Sequence, residues 1–259
     1  MSQWLTLFQK EILEMWRNFK WIWVPITFIL LGVSKPITTY YTPQIIKSFG
    51  DLPEGAVIDI PPPSAAEVFI QALSQYSSLG VLIIVLSTMG IIAAERKSGV
   101  AAMILVKPVS YLSFVTAKWA GGILLLWFSL FIGSIATWYY TGILFAWIPA
   151  GDLIQSLLLY GLWLTVVLTL TVFFSASLMT PGIAGFLSIA IVIIFNIISS
   201  TFSTWLEWSP AQLTSYANEV LLSKTVPEQA LSTSLIAFAC IIVLLGFSVV
   251  IFRKKELAS

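Results

Sequence analysis

Long runs without charge dominate the pattern of this chain. None of the residues from Val68 to Ala94, Trp119 to Gly151, Leu153 to Leu206 or Gln229 to Phe252 is charged. A helix that crosses a bilayer needs about 20 largely apolar residues. The third run is long enough for two such helices, and its clear turn signal is Met179-Thr180-Pro181-Gly182. A further apolar stretch covers Trp21 to Tyr40, interrupted by Pro25 and by Lys35-Pro36, which leaves its outer end the least defined boundary. The pattern predicts an all-α membrane protein in a single domain, 1–259. Its six spans lie near 21–40, 70–94, 112–141, 153–178, 182–205 and 230–252.

The segments between the spans carry their own periodicity. In residues 1–20, Leu5, Phe8, Ile12, Trp16 and Phe19 recur at spacings of 3, 4, 4 and 3, with Gln3, Lys10, Glu14 and Arg17 lying away from them. This predicts an amphipathic helix in the membrane interface. No small-residue cleavage site follows, so a signal peptide is not indicated. Two longer loops, 41–67 and 206–229, fall on one side. The first is rich in Pro and ends in Ser64-Ala-Ala-Glu67, a capping box that starts the second span. The other opens with Ser209-Pro210-Ala-Gln212, read as an N-cap with Pro in the first turn. A short helix should follow to about Leu222, with Leu213, Tyr216, Ala217, Val220 and Leu221 on a face that dips into the membrane or covers a pore. On the opposite side, loop 95–111 holds Glu95, Arg96 and Lys97, then Gly99 for a sharp turn. An apolar segment from Val100 to Val106, too short to span, comes next, then Lys107-Pro108 and Ser110 as a cap for the third span.

Charge fixes the orientation. Of thirteen Lys and Arg, ten fall in the N-terminal segment, loop 95–111 with Lys118, and the C-terminal tail, and three fall on the other side. Basic residues collect in cytoplasmic loops, so both termini are expected inside. Composition then removes whole classes of function. Hydrophobic residues make up 58% and charged residues 10%, too apolar to dissolve as a globule. Net charge is +1, so no basic face exists to bind nucleic acid. His is absent and Cys240 is the sole Cys, which excludes His-ligated metal, Ser-His catalysis and an internal disulfide. No Asp, Glu, Lys or Arg sits near mid-bilayer, against a proton-coupled pump, a stand-alone secondary transporter and an intramembrane enzyme. The polar residues in the spans are hydroxyls and amides. Asn196, Ser199 and Ser200 in the fifth span and Thr165 and Thr169 in the fourth either bond helices together or line a path.

The run Glu95-Arg96-Lys97-x-Gly99, then Leu105, Pro108-Val109-Ser110 and Lys118, resembles the first cytoplasmic loop of ABC-2 type permeases, with Val100 where Thr is usual. The N-terminal stretch, the six spans and the Ser-Pro start of the last outer loop agree with it. The resemblance implies that this loop is a coupling helix seated on a separate ATPase, contacted through Glu95, Arg96, Gly99, Val100, Leu105, Pro108 and Ser110. The chain has no G-x-x-x-x-G-K-[ST] loop of its own. The resemblance therefore implies a non-catalytic subunit of a bacterial or archaeal cell-membrane exporter, with ATP and Mg held by the partner. A second permease, identical or a sister chain, would complete the path. The other reading the residues leave open is a membrane scaffold that docks a partner through loop 95–111 and moves nothing.

Overall fold

A computed structural model describes residues 3–49, 63–106 and 109–256, and no strand occurs among them. Among the described residues six helical stretches are long and apolar enough to cross a membrane: Lys20–Ile45, Ala65–Lys97, Tyr111–Leu144, Ala150–Ser177, Pro181–Thr201 and Gln229–Lys255. One short helix precedes them, α1 (Gln3–Arg17).

The first span belongs to α2 (Lys20–Phe49), which runs well past the expected end near residue 40 and through Pro25, Pro36 and Pro43. Each Pro removes one N–H from the helix ladder. The carbonyls left without that donor are those of Trp21, Gly32 and Thr39, while the hydroxyls of α2 bond back to other carbonyls. Thr27 donates to the carbonyl of Trp23, Ser34 to that of Leu31 and Thr38 to that of Ser34. The expected loop 41–67 is thus helical at both ends, and its middle, 50–62, lies outside the described residues.

The second span is built in pieces. α3 (Ala65–Gln75) opens with the expected capping box: the Ser64 hydroxyl accepts from the Glu67 N–H, and the Glu67 carboxylate accepts from the Ser64 N–H. A π-helical turn, Tyr76–Gly80, follows, then α4 (Val81–Thr88), a break at 89–92, and α5 (Ala93–Lys97). The π turn carries a buried cross-link. Tyr76 donates to the carbonyl of Phe28 at 2.9 Å, and its oxygen lies 3.3 Å from the Thr137 hydroxyl. Gly32 and Gly133 make room for this crossing. A Cβ on Gly133 would stand 2.9 Å from the Phe28 Cβ and 3.0 Å from its carbonyl carbon.

The third span, α7 (Tyr111–Leu144), and the fourth, α8 (Ala150–Ser177), form the centre of the bundle. α6 (Val100–Leu105) precedes α7. α2 and α1 lie along α7. The fifth span, α9 (Pro181–Thr201), begins with Pro at its first turn, where the expected break falls. α9 and the sixth span, α11 (Gln229–Glu256), both pack on α8. Trp163, Tyr160, Leu164 and Leu168 of α8 are fully or nearly fully buried. α2, α9 and α11 show much of their apolar surface to the surroundings.

Between α9 and α11 a 3₁₀ turn (Pro210–Gln212) leads into α10 (Leu213–Ser223). Its apolar face neither dips into lipid nor stands over an opening. Leu213, Tyr216, Ala217, Val220 and Leu221 are buried, and α10 packs on α8. Ser209 also departs from its expected role. Its side chain makes no cap bond and meets the Ser199 hydroxyl instead.

Candidate functional site

The side of the bundle that carries α1, α5 and the chain's C-terminal end holds the concentrated charge. α1 has three faces rather than two. Leu5, Leu13 and Trp16 are exposed and apolar, as an interfacial helix requires, and so is Phe19 just past the end of the helix. Gln9, Glu14 and Arg17 are exposed and polar or charged. A third strip, Leu7, Glu11 and Met15, is turned inward. α1 packs on α7 at Gly121, where a Cβ would sit 3.2 Å from the Met15 Cε and 3.4 Å from the Glu11 Cβ. Trp4 adds a bond from its indole N–H to the Thr116 hydroxyl at 3.1 Å.

At the centre of this contact Lys118 of α7 is 1% exposed. Its ammonium donates to Glu11 Oε1 at 2.7 Å and stands 3.0 Å from Glu95 Oε2. Lys10 closes the cluster: it donates to the other oxygen of Glu95 and lies 3.4 Å from Glu11 and 3.3 Å from Glu14. Burial works against the charge of Lys10. The hydrogen bond to Glu95 and the fields of Glu11, Glu95 and Glu14 outweigh it and hold the ammonium well above the ordinary lysine range. Glu11, Glu14 and Glu95 stand near enough to one another to suit a cation. Lys10 and Lys118 already occupy that place, so the cluster is an internal ion network joining α1, α5 and α7.

α5 has two further anchors. The chain breaks at 89–92, which frees the N–H groups that begin α5. Ser175 of α8 supplies the missing acceptor, its hydroxyl taking both the Ile92 N–H at 3.1 Å and the Ala93 N–H at 3.0 Å. At the other end Arg96 donates to the carbonyl of Ala176, one of the free carbonyls at the end of α8, at 3.1 Å. The Arg96 guanidinium also lies over the Phe252 ring, which stacks on Phe114. Lys255 donates to the carbonyl of Ser177. The five residues of α5 are thus fastened to four other helices.

Glu95 and Arg96, which the resemblance places at a partner contact, are both buried at 8% exposure, and their charges are met within the chain. The outward surface begins after them. Gly99 has φ of +78°, with open space where a side chain would stand, so conformation rather than room calls for glycine there. It turns the chain into α6 (Val100–Leu105). Val100 and Met103 share one exposed face of this helix, and Val106 follows it. Met103 is 72% and Val106 88% exposed, while Ala101 beneath them is buried. The side chain of Leu105 and all of Pro108 lie outside the described residues. Ser110 caps α7 by accepting from the Ser113 N–H at 3.0 Å. It serves its own helix.

The hydroxyls and amides of the spans divide in the same way. Thr165 and Thr169 are buried inside the bundle. Thr165 donates to the carbonyl of Gly161, and Thr169 donates to that of Thr165 while accepting from the Trp119 indole at 2.9 Å. Ser199 is buried against Ser209, and its carbonyl accepts from Gln212 at 2.8 Å. Ser200 is exposed and bonds back to Ile197. Asn196 donates to the carbonyl of Val192 and stands at the edge of a 480 Å³ groove between the second and fifth spans. Ser74, Ser77 and Ser78, on the π turn and the end of α3, line the opposite wall. These three serines were not picked out from the sequence, although four hydroxyl-bearing residues in 74–78 were visible there.

Comparison with known proteins agrees with the geometry. A family model described as ABC-2 family transporter protein matches residues 5–257. A Bacillus subtilis protein, named as an uncharacterized transmembrane protein, YxlG, is 32% identical over 252 residues, covering 97% of this chain and 98% of the relative.

Proposed function

This chain belongs to the ABC-2 transporter family, and on that premise we propose that it is the permease subunit of an ATP-driven exporter in the cell membrane. ATP is hydrolysed on a separate P-loop subunit. α5 and α6 form the coupling element, and both termini are cytoplasmic, in keeping with the placement of the basic residues on that side.

The observation that carries this reading is the pairing of an exposed apolar helix with a rigid base. Val100, Met103 and Val106 present apolar surface beyond the end of the second span, which calls for a partner. α5, directly before them, is tied to α1, α7, α8 and α11 by buried charge and backbone bonds. Force applied to α6 therefore reaches four helices at once. In this reading Val100 and Met103 touch the ATPase, while Glu95 and Arg96 hold the element in position. ATP and Mg stay with the partner subunit. The hydroxyl-lined groove at Asn196, Ser74, Ser77 and Ser78 is this chain's share of the path. A second permease chain, identical or a sister, supplies the facing wall.

Affinity purification of the tagged chain from its native membrane tests the reading. The wild type should bring down a P-loop ATPase at about one copy per chain. Met103→Asp should lose it while inserting and folding normally, since changes at exposed positions typically move stability by about 0.5 kcal/mol or less. Equal recovery with wild type and Met103→Asp would overturn the assignment of α6.

A further inference from the structure

A second cavity lies among the spans, away from the charge network and bounded, like the groove at Asn196, by Val192 of α9. Its volume is 430 Å³. α8 forms its back wall through Trp163, Val167 and Leu170, while α9 and α11 form its sides through Phe195, Cys240 and Leu244, among others. The wall exposes no polar area and includes no charged residue. The cavity exists because α9 and α11 each pack on α8 and barely touch one another. Those two helices are also the spans, with the first, that have most of their surface turned outward. Pro210 closes the cavity at the α10 end, and Trp163 stacked on Phe195 at 6.1 Å lies against its floor.

We propose that this cavity is a binding groove for one acyl chain of a membrane lipid. Three observations select that occupant. The groove opens between two lipid-facing helices, so hydrocarbon surrounds its mouth. Nothing in its wall can hold a headgroup, a peptide bond or water, and an apolar cavity of this kind stays dry. Its size also fits. A cavity of about 150 Å³ holds one benzene ring, and 430 Å³ is nearly three times that, ample for the segment of an acyl chain that a groove of this length can hold. From Ile236 to Leu244 the groove follows the middle of α11 for about 12 Å at 1.5 Å per residue, within the reach of acyl chains in a hydrocarbon core about 30 Å thick. Left empty, the facing side chains would forfeit their dispersion contacts. A resident chain restores them and wedges α9 against α11. Selection is by chain, not by headgroup.

The test uses the full-length protein in vesicles of dioleoylphosphatidylcholine doped with a phosphatidylcholine that carries a photoreactive diazirine midway along one acyl chain. Labelled residues are mapped by mass spectrometry. The groove residues Ala239, Cys240 and Val243 should be labelled at least threefold more than Phe238 and Leu231, which sit on other exposed positions of α11. Ala239→Leu and Ala239→Trp should cut groove labelling in proportion to the volume added while leaving Phe238 labelling unchanged. The same pattern should appear with a phosphatidylglycerol probe of equal chain. Equal labelling of groove and non-groove positions, or groove labelling indifferent to both substitutions, would overturn the proposal. So would efficient Cys240–Cys240 cross-linking between two chains in the same vesicles, since a second copy would then fill the groove.

Discussion

Replacing Lys118 by Met removes the one fully buried cation from the network at α1, α5 and α7. Glu11 and Glu95, 4% and 8% exposed, would lose their contacts at 2.7 and 3.0 Å. Lys10 stays near both but is itself partly exposed, with 38% of its side-chain surface open. Removing one partner of a buried ion pair costs about 3–5 kcal/mol, because the other charge is left without compensation. For a chain of this size 1 kcal/mol corresponds to roughly 2–4 °C in Tm. Lys118→Met should therefore lower the midpoint of thermal unfolding in detergent by roughly 6–20 °C. The double variant Lys118→Met with Glu11→Gln should recover most of the loss, since replacing both members of a buried pair is often near neutral. The pair is shielded from solvent, so the effect should hardly change between low salt and about 0.15 M salt, where exposed charges more than about 8 Å apart are screened. Size-exclusion thermostability of the four members of the double-mutant cycle measures this directly. Additive losses, with a coupling energy below about 0.5 kcal/mol, would refute the claim that Lys118 and Glu11 stabilise the contact as a pair.

Other expectations follow from single positions. Gly133→Ala places a methyl group within 3.0 Å of Phe28 and should cost about 1–3 kcal/mol by overpacking, read as a lower Tm, whereas Gly182→Ala, with open space around it, should not. Gly99→Ala should leave the bundle's Tm nearly unchanged. It should speed hydrogen exchange of the Met103 amide, bonded to the Gly99 carbonyl, because the left-handed turn costs an L residue about 1–2 kcal/mol; unaltered exchange would count against the turn's role. In a Cys240→Ala background, cysteines placed at Ser64 and Lys224 should react with an impermeant reagent outside intact cells. A cysteine at Ser98 should react only after permeabilisation, and outside labelling at Ser98 would reject the orientation.

Much of this architecture is readable from the chain. Uncharged runs mark spans because backbone and charge must be satisfied in hydrocarbon, and the Thr180-Pro181-Gly182 signal coincides with the break between α8 and α9. The capping box at Ser64 and the left-handed Gly99 follow from local chemistry that needs no tertiary context. What was hidden depends on partners far apart in sequence. Lys118 looks like one more flanking charge until Glu11, 107 residues earlier, is brought against it. Ser175 is one more hydroxyl in the fourth span until the break at 89–92 leaves two N–H groups facing it. Glu95 and Arg96 stand where an exposed charged loop is expected, but packing of α1 and α11 turns them inward. The Pro residues of α2 suggest an interruption, yet the helix runs unbroken through all three. The π turn at Tyr76 leaves no distinct mark in the local residues, because it is set by the crossing with Phe28 and Thr137.

The most direct test of the coupling account is photocrosslinking in the native membrane, with a photoreactive amino acid in place of Met103 and, as a control, in place of Leu231 on the far side of the bundle. The account predicts that the Met103 position forms a covalent adduct with a P-loop ATPase subunit and that the Leu231 position does not. An ATPase captured from neither position, with the Met103 adducts confined to lipid or to this chain's own helices, would contradict it.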